Sequence, residues 1–157
     1  MSMFCFQCQE TAKNTGCTLR GVCGKPETTA GLQDVLIYVL KGISVYGEHA
    51  IKNGDPLIEE ERFIAESLFA TITNANFDDD AIKGLIGKGL EMKRRLAAKY
   101  ASSFDGALPD CASWDPGPGV DPLSKSSDAS ILSTGGEDQR SLRSLLLFGI
   151  KGIAAYA

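Results

Sequence analysis

Cys5, Cys8, Cys17 and Cys23 are four of the five cysteines in a chain of 157 residues, and two, eight and five residues separate them. Thiolates so close together suit a metal centre, either an iron–sulfur cluster or zinc. The Cys5/Cys8 pair can grip one ion or two neighbouring corners of a cluster. A structural zinc site usually carries a second tight pair, which Cys17 and Cys23 do not make, so each is expected to reach its own corner of a larger centre. The spacing matches neither the bacterial ferredoxin run nor the plant-type one. Iron–sulfur ligation is the first reading, zinc the second, and disulfides or free thiols the third. Gly16, Gly21 and Gly24 flank the ligands and allow turns that aim N–H groups at sulfur. Lys13, Arg20 and Lys25 lie among them. A cluster held by four thiolates is net negative, so such cations would offset its charge and raise its potential.

Other chemistry-bearing residues have plainer readings. Cys111 is a lone thiol far from the other four and is expected to be a bystander. His49, the sole histidine, falls near the end of a helical pattern, where a protonatable group suits the dipole, and has no neighbouring ligand types. Asp78-Asp79-Asp80 lacks the alternation, central glycine and closing glutamate of a calcium loop and reads as a helix start. Gly84–Gly89 has the glycines and lysine of a nucleotide loop but neither a preceding strand nor a following Ser or Thr, so close helix packing is the expectation. With one histidine, no Ser-His-Asp arrangement is available.

The elements that must position the cysteines are helical. The chain is 43% hydrophobic and 23% charged, with a net charge of −4, as in an ordinary globular protein. No basic stripe points to nucleic acid. The longest apolar runs, Val35–Leu40 and Leu145–Phe148, are far too short to span a bilayer. The Met1-Ser2-Met3-Phe4-Cys5 start has no leader character, so a cytoplasmic location is expected, where thiols stay reduced. Residues 1–28 lack periodicity and read as a loop wrapped around the metal centre. Over 29–104 the apolar period predicts three helices packed as a bundle. The first carries Leu32, Val35, Leu36, Val39, Leu40, Ile43 and Tyr46, with stop signals at Gly47 and Asn53-Gly54. The second opens on Asp55 as cap and Pro56 as first residue, with Leu57, Ile64, Ala65, Leu68, Phe69 and Ile72 on its apolar face. The third opens at Asp78-Asp79-Asp80. Residues 105–137, rich in Pro, Gly and Ser, read as a linker. A last helix occupies 138–157.

That last helix repeats the first. Leu32–Tyr46 aligns without gaps to Leu142–Tyr156, and six of the fifteen pairs are identical, Lys-Gly-Ile among them. An internal repeat explains this better than chance. The first copy is followed by two helices and the second by nothing, so 138–157 is expected to be the opening helix of a truncated second bundle. This helix can fold back on the first bundle, which the long linker permits, or pair with another chain, and either way its face of Leu142, Leu145, Leu146, Phe148, Ile150, Ile153 and Tyr156 is expected to drive self-association. On that reading the helix is separable, and its removal should leave the metal centre intact.

The start Met3-Phe4-Cys5-Phe6-Gln7-Cys8-Gln9-Glu10-Thr11-Ala12 resembles that of the hybrid-cluster proteins, also called prismane proteins or hydroxylamine reductases. Gly16-Cys17-Thr18, Gly21-Val22-Cys23-Gly24-Lys25, Leu32-Gln33-Asp34, Lys41-Gly42-Ile43, Tyr46-Gly47-Glu48 and Phe69–Phe77 continue the likeness. It resumes over Glu137–Arg143 and holds to Ala157. The resemblance implies an all-α N-terminal domain with two three-helix bundles. It also implies a [4Fe-4S] cluster on Cys5, Cys8, Cys17 and Cys23 that relays electrons. The family's hybrid iron–sulfur–oxygen cluster uses ligands from later domains, so no catalytic residue is expected here. Hydroxylamine, reduced to ammonia and water, or nitric oxide would be the substrate of the full-length protein, with an electron-donor protein as partner. The alternatives are a freestanding iron–sulfur module for electron transfer or for redox or nitrosative-stress sensing and a zinc-stabilised interaction module.

Overall fold

The computed structural model describes residues 3–157, so Met1 and Ser2, used above against a leader and within the 1–28 segment, lie outside the described residues. The fold is all-α. Six α-helices and several 3-10 turns are present among the described residues, and the only β pairing there is an isolated antiparallel bridge between Cys5 and Cys17.

Helix α1 (Glu27–Lys52) starts where Pro26, in an extended conformation, offers its carbonyl to Ala30 N–H at 3.0 Å. It runs through Gly47, expected above as a stop, because that glycine is buried against Leu57, where a Cβ would meet Leu57 Cδ1 at 3.3 Å. The helix ends instead at Asn53, just before Gly54 with φ +79°. Helix α2 (Ile58–Ala70) begins later than the Asp55-Pro56 start predicted. Asp55 does not cap it, because its carboxylate accepts from the Tyr100 hydroxyl at 2.5 Å and Lys99 Nζ at 3.0 Å. Glu59, Glu60 and Glu61 supply the negative charge that the first turn favours. Helix α3 (Asp79–Tyr100) starts as expected, with Asp78 Oδ1 accepting from the N–H groups of Asp80 and Ala81 at 3.0 and 3.1 Å.

The core lies between α1 and α3. Leu32, Val35, Leu36, Val39, Ile43 and Tyr46 are buried with Ile82, Ile86, Leu90, Leu96 and Tyr100. Gly89 lets the two backbones close up, since a Cβ there would stand 2.8 Å from Val39 Cγ1, whereas Gly84 and Gly87 face open space. Of the Gly84–Gly89 stretch, then, only Gly89 serves close packing. Helix α2 is peripheral. Leu57 just before it and Leu68 within it are buried, but Phe69, expected on its apolar face, is exposed.

Residues 105–137, read as a linker, instead lie along α1. They contain α4 (Asp110–Ser113) and α5 (Ser126–Ala129), both packed on that helix. The attachment combines polar contacts with apolar ones from Leu108, Ala112, Trp114, Leu123 and Ala129, which fall at no regular spacing and so give no apolar period. Buried Lys93 donates to the carbonyls of Cys111 at 2.9 Å and Trp114 at 2.5 Å, while Ala112 fills the space beneath. Helix α6 (Glu137–Ala154) packs on α2. No helix among the described residues is long and apolar enough to cross a membrane.

Candidate metal centre

The cysteine segment is ordered by one pairing. Cys5 N–H donates to Cys17 O, and Cys17 N–H donates to Cys5 O, each at 2.9 Å. Directly opposed residues of an antiparallel pair project their side chains to the same face, so the two thiols emerge together. Both residues are buried, while Cys8 and Cys23 are half-buried nearer the surface. All four are free thiols, as is Cys111.

Donors are aimed at the sulfur of Cys17. Ala12 N–H donates to Cys17 Sγ at 3.4 Å, and the Thr11 hydroxyl lies 3.8 Å away. Burial works against ionisation of this thiol, but the N–H groups of Ala12 and Val22, the Thr11 hydroxyl and the charge of Lys25 outweigh it and hold the thiol below its ordinary range. For Cys5 burial wins and pushes the thiol up, although Lys25 and a backbone N–H at Gln7 oppose it. Backbone N–H groups around a sulfur favour its thiolate, the form that binds iron or zinc.

Gly16 and Gly21 make room in the loop, whereas a Cβ at Gly24 would meet only the Arg20 guanidinium 4.0 Å away. Gly16 has φ +121°, and a Cβ there would come within 2.5 Å of the Phe4 ring. A Cβ at Gly21 would stand 3.0 Å from Cys23 Sγ, so the backbone itself walls that thiol. Of the three cations expected to offset cluster charge, Lys25 alone is buried. Lys13 and Arg20 are exposed, and Arg20 donates to Gly24 O at 3.0 Å.

The two residues between Cys5 and Cys8 are held from two sides. Gln7 is buried, and its amide nitrogen donates to Ala30 O at 3.0 Å and Asp34 Oδ1 at 2.6 Å. Its amide oxygen accepts from Lys25 Nζ at 2.8 Å, and Lys25 also donates to Gln33 Oε1. Gln33 in turn donates to Asn76 O at 3.0 Å. The Gln7 carbonyl accepts from Lys151 Nζ at 3.3 Å, and that same ammonium donates to Thr71 O at 3.3 Å. The Phe6 ring lies 6.0 Å from Phe148. Burial pushes Asp34 up to about 6 and Lys151 down to about 8.

These contacts correct one expectation. Helix α6, read as separable, seats the loop between Cys5 and Cys8 through Phe148 and Lys151. Sequence reasoning also missed Gln7, Gln33, Asp34 and Lys151 as parts of the site. The one signal for Lys151 was its identity with Lys41 in the repeat, and Lys41 is exposed. His49 packs against the rings of Tyr100 and Phe104, with centroids 5.7 and 4.9 Å away. Cys111 belongs to the 105–137 layer. It borders a cavity of about 690 Å³ between α1, α2, α6 and that layer, which none of the four clustered cysteines lines. Among the described residues no three His, Cys, Asp or Glu side chains converge on a single ion position. The four cysteines lie in one loop system that precedes α1.

Comparison with known proteins finds relatives along the whole chain. The model of the Prismane/CO dehydrogenase family matches residues 3–157. A hydroxylamine reductase of Nitratidesulfovibrio vulgaris is 50% identical over 99% of this chain and 29% of the relative. Those of Desulfosudis oleivorans and Halothermothrix orenii are 51% and 48% identical, over 98% and 100% of this chain and 28% and 30% of the relatives. The chain thus spans about three-tenths of the length of the curated relatives it matches.

Proposed function

Because the chain belongs to the Prismane/CO dehydrogenase family, we propose that it is the cluster-binding N-terminal part of a hydroxylamine reductase, with Cys5, Cys8, Cys17 and Cys23 holding a [4Fe-4S] cluster. The observation that carries this reading is the paired Cys5 and Cys17, whose thiols emerge on one face with N–H donors at Cys17 Sγ. An all-thiolate donor set with backbone N–H groups at sulfur fits such a cluster. When bound, the cluster supplies one-electron transfer toward a hybrid cluster in the remaining part of the protein. That part would reduce hydroxylamine, or nitric oxide, with electrons from a donor protein, in a reducing cytoplasm.

This chain's residues supply the seat. The Cys5–Cys17 bridge fixes two thiols, the Gly21–Lys25 turn presents the third at Cys23, and the Gln7 network holds the loop that carries Cys8. Hydrogen bonds to sulfur and buried charge are the levers by which a protein tunes such a cluster. Four cysteine ligands leave no open iron position for a substrate, so the 157-residue chain by itself relays electrons rather than turning over hydroxylamine.

Iron and sulfide analysis of anaerobically purified protein, with single Cys→Ser variants, tests the assignment. Near-equal iron and sulfide are expected, with loss of visible absorbance on changing Cys5, Cys8, Cys17 or Cys23 and retention on changing Cys111. Zinc in place of iron, or a chromophore that depends on Cys111 and survives Cys17→Ser, would overturn it.

A further inference from the structure

Lys151 is a buried cation with no carboxylate in ion-pair range among the described residues. Its ammonium donates to the carbonyls of Gln7 and Thr71, both at 3.3 Å. Lys25, buried close by, is held by the amide oxygens of Gln7 and Gln33. Two ammonium groups in one buried patch repel each other, and neutral carbonyls alone are poor compensation for a charge removed from water. Among the described residues, Asp34 is a carboxylate on which both lysines act. It is bonded to Gln7, and burial disfavours its charged form. The patch is therefore short of negative charge, and it lies directly behind the loop between Cys5 and Cys8.

We propose that Lys151 is an electrostatic positioning residue of the cysteine-bound cluster: α6 carries its ammonium to the back of the Cys5–Cys8 loop, where it offsets the cluster's negative charge and raises its reduction potential. This rests on the cluster assignment above. On reduction one electron passes from the reductant to the cluster. No bond to the chain forms or breaks, Lys151 keeps its proton, and the site gains one negative charge. A fixed buried cation stabilises that added charge more than a solvent-exposed one, because water and salt screen it less.

The test is a mediated dithionite titration at pH 7 of the iron-loaded 157-residue chain, followed by visible absorbance and electron paramagnetic resonance. Lys151→Gln removes the charge while its amide can still donate to Gln7 O and Thr71 O. Lys151→Arg keeps the charge. Lys52→Met removes an exposed lysine at the far end of α1. At the wild-type midpoint the reduced-to-oxidised ratio of Lys151→Gln should fall on the order of tenfold, a shift of about 59 mV to lower potential for a one-electron couple. The Arg and Lys52 variants should stay near wild type. If the Gln variant loses iron while the Arg variant keeps it, the charge is needed for assembly, which also supports the proposal. An unshifted Gln variant with full iron content would overturn it. So would equal shifts, or equal iron loss, in the Gln and Arg variants, since packing would then be at work. Wild-type protein that binds no iron would instead sink the cluster assignment itself.

Discussion

At the scale of single residues, the cysteine loop depends on positions where no other side chain fits. Gly16 combines φ +121° with a Cβ direction that points into the Phe4 ring. Gly16→Ala must therefore strain the backbone next to Cys17 or displace Phe4. Such strain costs about 1–3 kcal/mol, and it falls on the hydrogen-bonded pairing that aligns Cys5 with Cys17. We expect iron loss to a chelator to be at least several-fold faster in Gly16→Ala than in wild type, with the helix content of α1 and α3 unchanged. An unchanged rate would show that the bridge does not control retention. The glycines around the cysteines were legible from sequence because glycine beside a ligand has few other uses. Gln7 and Lys151 were not. An uncharged side chain within Cys-x-x-Cys carries no signature of the network it enters, and lysine is normally exposed, so its type argues against the burial it shows.

Among the elements, legibility followed the source of each one's stability. Helices α1 and α3 bury regular apolar faces, and their periodicity identified them. The Asp78 cap was legible because its whole interaction is local. The start of α2 was not, because Asp55 is claimed by Tyr100 and Lys99, residues more than forty positions away. The layer over residues 105–137 attaches through main-chain carbonyls, a buried lysine and apolar residues such as Ala112, Leu123 and Ala129 that make no helical period, so its pattern resembles that of a linker. The repeat provides a matched test of this layer. Gly42 and Gly152 are equivalent positions in the Lys-Gly-Ile triplets of α1 and α6. A Cβ at Gly42 would lie 2.1 Å from the Cys111 carbonyl oxygen, while Gly152 faces open space. Gly42→Ala should push α4 off α1 and cost about 1–3 kcal/mol, as overpacking does. Gly152→Ala should be neutral or stabilising by up to about 1 kcal/mol, from helix propensity alone. Thermal unfolding of the two variants by circular dichroism measures both. Equal shifts would mean that α4 does not dock where the fold places it.

For the whole molecule, the repeat shows which surface is left uncovered. Tyr46 is 2% exposed on α1, whereas its repeat partner Tyr156 is 95% exposed. Leu32, Val35 and Ile43 are likewise buried by α3 in the first copy, while Leu142, Leu145 and Ile153 face outward in the second. Helix α6 docks through its other side, with Ser144 and Lys151 buried and Leu147, Phe148 and Ala154 partly so. Its period thus announced a helix but not the face that packs, because apolar residues lie on both sides. A stripe of this kind in water favours association, since fully burying one such side chain stabilises by about 1.5–3 kcal/mol. The 157-residue chain should therefore sediment as a concentration-dependent mixture of monomer and oligomer. Leu145 and Ile153 touch neither the cysteine loop nor the 690 Å³ cavity. The double change Leu145→Glu/Ile153→Glu should weaken association by about 3 kcal/mol, more than a hundredfold, without loss of iron or helix. Sedimentation velocity of both proteins across a matched concentration series measures this. A wild-type chain that stays monomeric at every concentration, or a double variant that associates as strongly as wild type, would show that this face does not mediate contact between copies.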